Sequence, residues 1–432
     1  MALYGKKVTM LDTENAFKIG PHIRSIEDQG KRVIKCNLGE PDFPVPAFIK
    51  EEIKRQIDLD NTHYCDPQGI LSLRKAVARH LSETRKIKAT PERIVIFPGA
   101  KPPIGLCQQT YCDPGDEVIY PSPCFPIYES FIHYVEAIPV PIHLKEDRNF
   151  TLSGDDIGSV ITSRTKMIYL NFPSNPTGGV ASREQLHDIA RVIGKKCTRD
   201  IRIYSDEVYE DILFDGSTHH SIISFPGMEE ITILVSGVSK SFSWTGGRVG
   251  WALFPTVDEA ETFKNLNINY FSCIPAYNQE GARLGLESPL RHDAIRQMVE
   301  AFQERRDIVV KGLNAIDGIR CQNPKGAFYV FPNISEALKK LGVMDAFRSL
   351  SSEIRDRTSP STLFQMFLLF EYQVATMDRK SFGRIGTEDL HFLRLSIATD
   401  RDFLKEGLNR IGAASRDRDG FKKFFQKGEH LY

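Results

Sequence analysis

The sequence has no excess of either charge. Lys+Arg and Asp+Glu both number 56 among its 432 residues, so the formal net charge is zero. A protein that binds nucleic acid or an anionic membrane surface usually carries a marked positive excess, and nothing in this balance points to either partner. With 41% hydrophobic and 26% charged residues, the chain has the composition of an ordinary soluble globular protein.

Long apolar runs and paired cysteines are also missing. The most apolar window, 363–374, contains Gln365 and Glu371 and is too short to cross a bilayer, so we expect a helix or strand of the core there. The eight cysteines form no C-x-x-C pair, and no histidine cluster accompanies them at zinc spacing. The first residues lack the apolar core of a signal peptide. We therefore expect no metal site, reduced thiols and a cytoplasmic location.

Between about residues 46 and 290, short apolar runs alternate with helical patterns, which favours a mostly parallel sheet wrapped by helices. Strands are expected at 93–97, 117–120, 167–170, 201–204, 231–235 and 249–254. Helices are expected at 46–59, at 70–84 and from a capping box at 182–185 to about residue 195.

After residue 290 the pattern changes to a long helix at 290–316, strands near 326–331 and 392–398, a helix at 401–411 and a charged tail. This pattern indicates a smaller α+β domain. The prediction is an α/β protein with a large domain at 46–290 and a small domain formed by 1–45 and 291–432.

One segment, 236–251, carries more chemical information than the rest of the chain. It follows a buried apolar strand and contains Lys240 at the strand's exit, next to several hydroxyls that include Ser239, with Arg248 eight residues later among glycines. A lysine in this setting can bond covalently to an aldehyde whose phosphate lies alongside, which is what pyridoxal phosphate requires. A lone lysine is usually a solvated surface charge, so the context carries the hypothesis.

Polar side chains near the expected carboxyl ends of other strands suit the ring of the same cofactor. Asp206 can face the pyridine nitrogen and keep it protonated, while the phenol of Tyr209 can bond to the 3-oxygen of the ring. Asn175, held extended before a proline, can donate its amide to the same oxygen. Taken singly, an N-capping aspartate and a Pro/Gly turn are the simpler interpretations.

The remaining groups suit a phosphate, a ring face and a carboxylate. Gly99, Ala100 and Lys101 open a helix after a strand, where backbone N–H groups form a natural phosphate cradle. Phe125 can lie flat on the pyridine ring, although a phenylalanine is more often part of a core. Arg394 stands inside an apolar strand, where it can grip a carboxylate with two hydrogen bonds or form a buried salt bridge with an Asp or Glu.

In this order and spacing, from residues 37–42 to Arg394, the motifs resemble those of the fold-type-I, class I/II pyridoxal-phosphate aminotransferases, of the aspartate aminotransferase kind. The resemblance implies that Lys240 forms the Schiff base with the cofactor and that Asp206 and Tyr209 complete the catalytic set. The cofactor contacts that it implies are Gly99, Ala100, Lys101, Phe125, Asn175, Asp206, Tyr209, Ser239, Lys240 and Arg248. The substrate contacts that it implies are Gly39, Asn175 and Arg394.

The resemblance also implies an obligate homodimer, in which Tyr64 of the segment 63–69 reaches the phosphate of the neighbouring subunit. Two departures bear on the substrate. Some bacterial aspartate-specific relatives carry a Ser/Thr pair where this sequence has Glu14 and Ala16, whereas Lys101 matches a lysine that they use for the distal carboxylate. The stretch from about 349 to 386, beside the expected substrate entrance, is longer than usual.

The implied activity is transfer of the amino group of an L-amino acid, with aspartate the first candidate, to a 2-oxo acid such as 2-oxoglutarate. A lyase or decarboxylase of the same fold stays open, because the same lysine and ring serve it, and so do aromatic or alanine-type donors. A transcription regulator would need a DNA-binding domain before residue 46, where no basic helix-turn-helix pattern occurs. An inactive homologue is disfavoured, because none of the expected catalytic side chains is missing.

Overall fold

The computed structural model describes residues 3–12, 14–197 and 200–431. Its strands are β1 (Ile34–Lys35), β2 (Ile94–Phe97), β3 (Glu117–Ser122), β4 (Ile138–His143), β5 (Thr165–Asn171), β6 (Arg202–Asp206), β7 (Thr232–Gly237), β8 (Gly250–Leu253), β9 (Tyr329–Val330), β10 (Val374–Ala375), β11 (Met377–Asp378) and β12 (Leu393–Ser396). Its α-helices span Asn15–Lys18, Gly20–Glu27, Ala47–Asp58, Leu71–Arg85, Pro102–Tyr111, Ile127–Tyr134, Gly154–Gly158, Arg183–Lys196, Val238–Ser241, Val257–Phe271, Ala276–Glu287, Arg291–Asn314, Ser335–Leu341, Val343–Ser349, Ser352–Arg357, Pro360–Tyr372, Arg401–Ala414 and Arg418–Lys427.

The largest sheet in the described part of the chain has seven strands in the order β2-β8-β7-β6-β5-β3-β4. β8 runs antiparallel to both of its neighbours, and every other pair is parallel. All residues of β2, β3, β7 and β8 are buried, as the near-continuous apolar runs of a sheet covered on both faces require. The predicted α/β class, with a mostly parallel sheet and covering helices, is confirmed.

Local sequence signals explain where several of these elements begin and end. Arg183–Lys196 starts at the predicted capping box, in which Ser182 and Gln185 exchange side-chain to backbone hydrogen bonds, and its apolar face is buried. The expected helices at 46–59 and 70–84 are Ala47–Asp58 and Leu71–Arg85. β4 was not anticipated, since it contains Pro139 and Pro141; these are tolerated because β4 is the edge strand and pairs only with β3.

The C-terminal part of the chain forms smaller sheets and a second core. β11, β12 and β9 make an antiparallel three-stranded sheet, and β1 pairs in parallel with β10. The expected strands at 326–331 and 392–398 are shorter in the structure. The apolar window at 363–374 falls mostly in the helix Pro360–Tyr372, and its last residue, Val374, is in β10. The charged tail contains a helix, Arg418–Lys427, that buries Phe421 and Phe424. The domain boundaries at 46 and 290 stay a prediction.

Chain direction decides where functional groups collect. β2, β3, β5, β6 and β7 all run the same way, so their carboxyl ends meet at one edge of the sheet, together with the amino end of the antiparallel β8. Open parallel sheets bind ligands in the crevice outside this edge. Among the described residues, no helix combines the length and the apolar character needed to cross a bilayer.

Candidate active site

A cavity of about 460 Å³ lies at this edge of the sheet. Most of the residues that the sequence indicated line it: Gly39, Ala100, Lys101, Phe125, Asn175, Asp206, Tyr209, Ser239, Lys240, Arg248 and Arg394. Gly99 lies directly behind the wall that Ala100 and Arg248 form, whereas Tyr64 is 89% exposed and outside the cavity of this chain. Segments separated by hundreds of residues in the sequence thus converge on one space.

Lys240 extends into the cavity from the short helix Val238–Ser241, directly after β7. Its Nζ atom donates a 2.6 Å hydrogen bond to the backbone oxygen of Gly39 and lies 5.9 Å from the ring centroid of Tyr209. Burial lowers the pKa of this amine from 10.5 to about 8. An appreciable fraction of the amine is therefore neutral near physiological pH, as a nucleophilic lysine needs to be.

Asp206 is the last residue of β6, and its carboxylate is buried in the cavity wall. The hydroxyl of Tyr128 donates a 2.5 Å hydrogen bond to Oδ2, and the backbone N–H of Val208 lies 3.4 Å from Oδ1. Burial nevertheless raises the pKa of Asp206 from 3.8 to about 6, because these two donors only partly replace water. Among the described residues, no Lys or Arg forms an ion pair with this carboxylate.

The phenol of Tyr209 meets a second phenol that the sequence analysis missed. The hydroxyls of Tyr209 and Tyr329 lie 2.8 Å apart, and the loss of hydration raises the pKa of both groups. Tyr329 in turn fixes the residue at position 39, since a Cβ atom on Gly39 would lie 2.2 Å from the Tyr329 hydroxyl. The two tyrosines are 120 positions apart in the sequence, which explains why no local sequence pattern reveals the contact.

Arg394 lies in β12 and is 4% exposed. Nη1 donates a 3.2 Å hydrogen bond to Oδ1 of Asn175, Nη2 donates to the backbone oxygen of Asn37, and Nε has no hydrogen-bond partner among the described residues. The guanidinium lies over the rings of Tyr329 and Phe382, at 4.6 and 4.9 Å from their centroids. Within the described chain, Arg394 forms no salt bridge with an Asp or Glu. The alternative interpretation of this residue, a buried salt bridge, is therefore wrong.

The opposite end of the cavity presents groups that suit a phosphate. Gly99 has a φ of +91°, and a Cβ atom there would lie 2.2 Å from Nη2 of Arg248, so both backbone and space require glycine. Arg248 is held by hydrogen bonds to the backbone oxygens of Thr245 (2.8 Å) and Pro98 (3.0 Å). Next to it, Ala100 and Lys101 line the cavity just before the helix Pro102–Tyr111, whose first two residues are prolines without an N–H group. The backbone N–H groups that can face a phosphate here are therefore those of Ala100 and Lys101.

Lys101 does not stand free in the cavity. Its Nζ atom forms an ion pair with the carboxylate of Glu14 and lies 5.4 Å from the ring centroid of Phe125. Glu14, Ala16 and Phe17 bring the N-terminal segment into the cavity wall. The sequence analysis noted Glu14 as a departure but did not foresee its pairing with Lys101.

The comparisons with known proteins agree with this geometry. Residues 31–411 match the family model described as "Aminotransferase class I and II". A protein named "Probable aspartate/prephenate aminotransferase" from Aquifex aeolicus is 35% identical over 94% of this chain and 97% of its own length. An "Aspartate aminotransferase" from Pyrococcus horikoshii is 35% identical over 88% of this chain and 90% of its own.

Solved structures give the same result. The crystal structure of the aspartate aminotransferase from Rhizobium meliloti superposes with a TM-score of 0.85 at 30% identity, covering 96% of this chain and 99% of that one. The chain belongs to the class I and II aminotransferase family. It is therefore an aminotransferase, as its motifs indicated, and its fold is that of the aspartate aminotransferases.

Proposed function

We propose that this aminotransferase holds pyridoxal 5'-phosphate through Lys240 and transfers the amino group of an L-amino acid, with aspartate as the first candidate, to a 2-oxo acid such as 2-oxoglutarate. The observation that carries the proposal is the pair formed by Lys240 and Asp206 in one cavity. The pKa of the amine is lowered to about 8 and that of the carboxyl is raised to about 6, both chiefly by burial. Titratable groups perturbed in this way are typical of catalytic sites.

The cavity has residues that suit both ends of the cofactor, the ring nitrogen and the phosphate. A buried carboxylate without an ion-pair partner among the described residues, Asp206, is what a protonated ring nitrogen would neutralise. The space at Gly99, the guanidinium of Arg248 and the backbone N–H groups of Ala100 and Lys101 together suit a phosphate, which would accept hydrogen bonds from them. Ser239, Phe125 and Asn175 would complete the contacts with the phosphate and the ring.

When bound, pyridoxal phosphate supplies an electron sink for the negative charge that develops at the substrate Cα. Arg394 would hold the α-carboxylate of the substrate, with Asn175 fixing the orientation of the guanidinium. Lys240 is the base best suited to take the α-proton and return it, because its pKa lies near the working pH. Tyr209, restrained by Tyr329, would hold the 3-oxygen of the ring.

The proposed assembly is a homodimer in which Tyr64 contacts the phosphate of the neighbouring subunit. The 89% exposure of this aromatic side chain in the single chain supports the proposal, as does the exposure of Leu59 (62%) and Tyr270 (56%). Light scattering would give the mass in solution. Mixing inactive Lys240→Ala chains with inactive Tyr64→Ala chains would restore activity only if subunits share sites.

The test of the activity is a half-reaction. Purified protein loaded with pyridoxal phosphate is mixed with single L-amino acids, and the absorbance of the cofactor is followed. Conversion to the amino form, fastest with aspartate, is the expected result. Retention of the pyridoxal spectrum with release of carbon dioxide or another fragment would replace transamination with the lyase alternative.

A further inference from the structure

A cluster of buried titratable side chains lies next to the active-site cavity but does not line it. Its members are Arg85, Glu207, Glu210, His80 and His219, and each of these side chains is at most 9% exposed. Burying charged groups costs free energy, and a buried ion pair is often no more stabilising than apolar side chains packed in the same space. Stability alone therefore does not explain why the charges are there.

Arg85 binds both carboxylates of the cluster at once. Its Nε atom donates a 2.9 Å hydrogen bond to Oε2 of Glu207, and its Nη2 atom donates to Oε2 of Glu210. Arg85 is the last residue of the helix Leu71–Arg85, whereas both glutamates follow β6, more than 120 positions later. Because a guanidinium is a rigid, planar fork of donors, it fixes the distance and the direction between the two acceptors that it bridges.

The two glutamates are the immediate neighbours of two residues that line the cavity. Glu207 follows Asp206, and Glu210 follows Tyr209. β6 ends at Asp206, and residues 208–211 form a turn that continues neither as a strand nor as a helix. The path of the backbone through this turn therefore depends on side-chain contacts such as those with Arg85.

Further hydrogen bonds tie the same carboxylates to the strand that precedes Lys240. Oε1 of Glu210 accepts a 2.7 Å hydrogen bond from Oγ of Ser236, which lies in β7 four positions before Lys240. Nε2 of His219 lies 2.9 Å from Oε2 of Glu207. Burial alone would raise the pKa of Glu207, but the neighbouring guanidinium and the hydrogen-bond donors lower it to about 2. This carboxylate is therefore ionised at neutral pH and stays bound to its partners.

We propose that Arg85 is a positioning residue for Asp206 and Tyr209, an inference that rests on the proposed function. It acts through Glu207 and Glu210, since each carboxylate fixes the backbone beside one active-site side chain. Asp206 is in this way kept in line with the ring nitrogen of the cofactor, and Tyr209 with the 3-oxygen. Both contacts are hydrogen bonds, which weaken steeply when the donor and the acceptor move out of line.

Arg85→Lys removes the fork without leaving the carboxylates unpaired, since the ammonium keeps the charge but cannot bridge both glutamates in the same geometry. The maximal rate of the half-reaction should fall by at least about tenfold. The amino-acid concentration that gives half of this rate should change little, because Arg394 is untouched. Arg306→Lys is the matched control: Arg306 is 1% exposed, makes a two-pronged pair with Asp215 and does not line the cavity. It should react as wild type does.

Cofactor analogues identify the contact that is lost, through their Kd values in absorbance titrations. 1-Deazapyridoxal phosphate lacks the ring nitrogen, and 3-deoxypyridoxal phosphate lacks the 3-oxygen. Glu207→Gln should weaken the binding of pyridoxal phosphate by about tenfold and that of the 1-deaza analogue much less, whereas Glu210→Gln should spare the 3-deoxy analogue instead. Losses of equal size for all three ligands, or no loss for any, would overturn the inference, because a merely structural role does not distinguish the two ends of the ring.

Hydrogen exchange of the cofactor-free protein is a readout that needs no cofactor. The N–H of Glu207 donates a 2.8 Å hydrogen bond to the backbone oxygen of Val235, and the N–H of Glu210 donates one of 2.9 Å to that of Glu207. Both should exchange at least about tenfold faster in Arg85→Lys, and at the wild-type rate in Arg306→Lys. Unchanged exchange in Arg85→Lys overturns the inference. If wild type binds no pyridoxal phosphate, the proposed function fails instead, and the exchange rates still decide whether Arg85 fixes the turn.

Discussion

The hydroxyl of Tyr128 lies 2.5 Å from Oδ2 of Asp206, inside the wall of the active-site cavity. The ring of Tyr128 stacks on Tyr169 at 4.4 Å, and the hydroxyl of Tyr169 accepts a 2.8 Å hydrogen bond from Gln108. This chain of buried contacts fixes the direction in which the carboxylate points. The hydrogen bond orients Asp206 but does not compensate for its burial, which raises the pKa of the carboxyl to about 6.

Asp206→Asn should therefore stabilise the cofactor-free protein near pH 7.5 by up to about 3 kcal/mol. The folded state binds the Asp206 proton more tightly than the unfolded chain, in which the pKa is 3.8, so the contribution of Asp206 to stability falls as the pH rises from about 4 through 6. Urea unfolding of wild type and variant at several pH values measures the difference.

Two features separate this effect from a general change in packing. The stabilisation should disappear below about pH 4, where Asp206 is protonated in both states. The variant should also lose transamination, since asparagine cannot neutralise a protonated ring nitrogen. A variant less stable than wild type at neutral pH would contradict the argument.

The site could be predicted from the sequence where a residue type and its local context coincide. Lys240 and Asp206 each follow an apolar run long enough to be a strand, and parallel strands bring their carboxyl ends together, so proximity follows from topology. Gly99 could also be predicted, because a glycine between a strand and a helix is a recognisable signal of a phosphate-binding turn.

Residues that act through long-range contacts could not be found in this way. Tyr128 and Tyr329 look like ordinary core aromatics in the sequence, and only packing brings their hydroxyls to Asp206 and Tyr209. The segment at 349–386 stands out in the sequence for its length. Its contacts with the N-terminal segment, through Ser381 and Arg384, are visible only in the structure. β4 was missed because its prolines contradict strand propensity everywhere except at an edge.

Lys240 should react with aldehydes at a lower pH than a solvated lysine does. Burial lowers the pKa of its amine to about 8, so the neutral fraction, and with it the rate of aldehyde capture, should rise to half of its maximum near pH 8. Borohydride reduction after brief exposure of the cofactor-free protein to pyridoxal phosphate, followed by mass spectrometry, measures the modified fraction at position 240.

Lys240→Ala is the control for this experiment. It should show no cofactor attached in the peptide that contains position 240, and it should lose nearly all turnover. Full activity in that variant would remove the basis of the proposed mechanism. A capture rate that still rises steeply above pH 10 would show that the amine is not perturbed in the way the cavity suggests.

Arg394→Ala should weaken amino-acid binding far more than cofactor binding. Charge-assisted hydrogen bonds contribute roughly 1.5–3 kcal/mol each, so loss of the guanidinium should raise KM for the amino acid by about tenfold to more than a hundredfold. The apparent Kd of pyridoxal phosphate, measured by absorbance titration, should change little. Equal losses for substrate and cofactor would mean that Arg394 only supports the fold.

Arg394→Lys distinguishes charge from geometry. A lysine keeps the positive charge but cannot make the two-pronged contact with a carboxylate, so it should recover only a small part of the affinity. Arg320→Ala is the matched control, because Arg320 also pairs with a carboxylate, that of Glu146, but does not line the active-site cavity. It should bind substrate as wild type does.

Gly39→Ala should disturb the active site by displacing the hydroxyl of Tyr329. The added Cβ atom would lie 2.2 Å from the hydroxyl of Tyr329, so the tyrosine has to move and its 2.8 Å contact with Tyr209 is lost. Overpacking of this kind costs about 1–3 kcal/mol. We expect a lower free energy of unfolding and a kcat/KM reduced by at least about tenfold, measured by urea unfolding and by the half-reaction.

The double variant Gly39→Ala with Tyr329→Phe tests the cause. Tyr329→Phe removes the oxygen that clashes, and the nearest ring carbons would then lie 3.2 and 3.4 Å from the new Cβ atom, a tight but tolerable contact. The double variant should therefore be more stable than Gly39→Ala alone. Because the two side chains share one space, their effects on unfolding should not be additive. Additive losses would mean that position 39 requires glycine for a reason other than Tyr329.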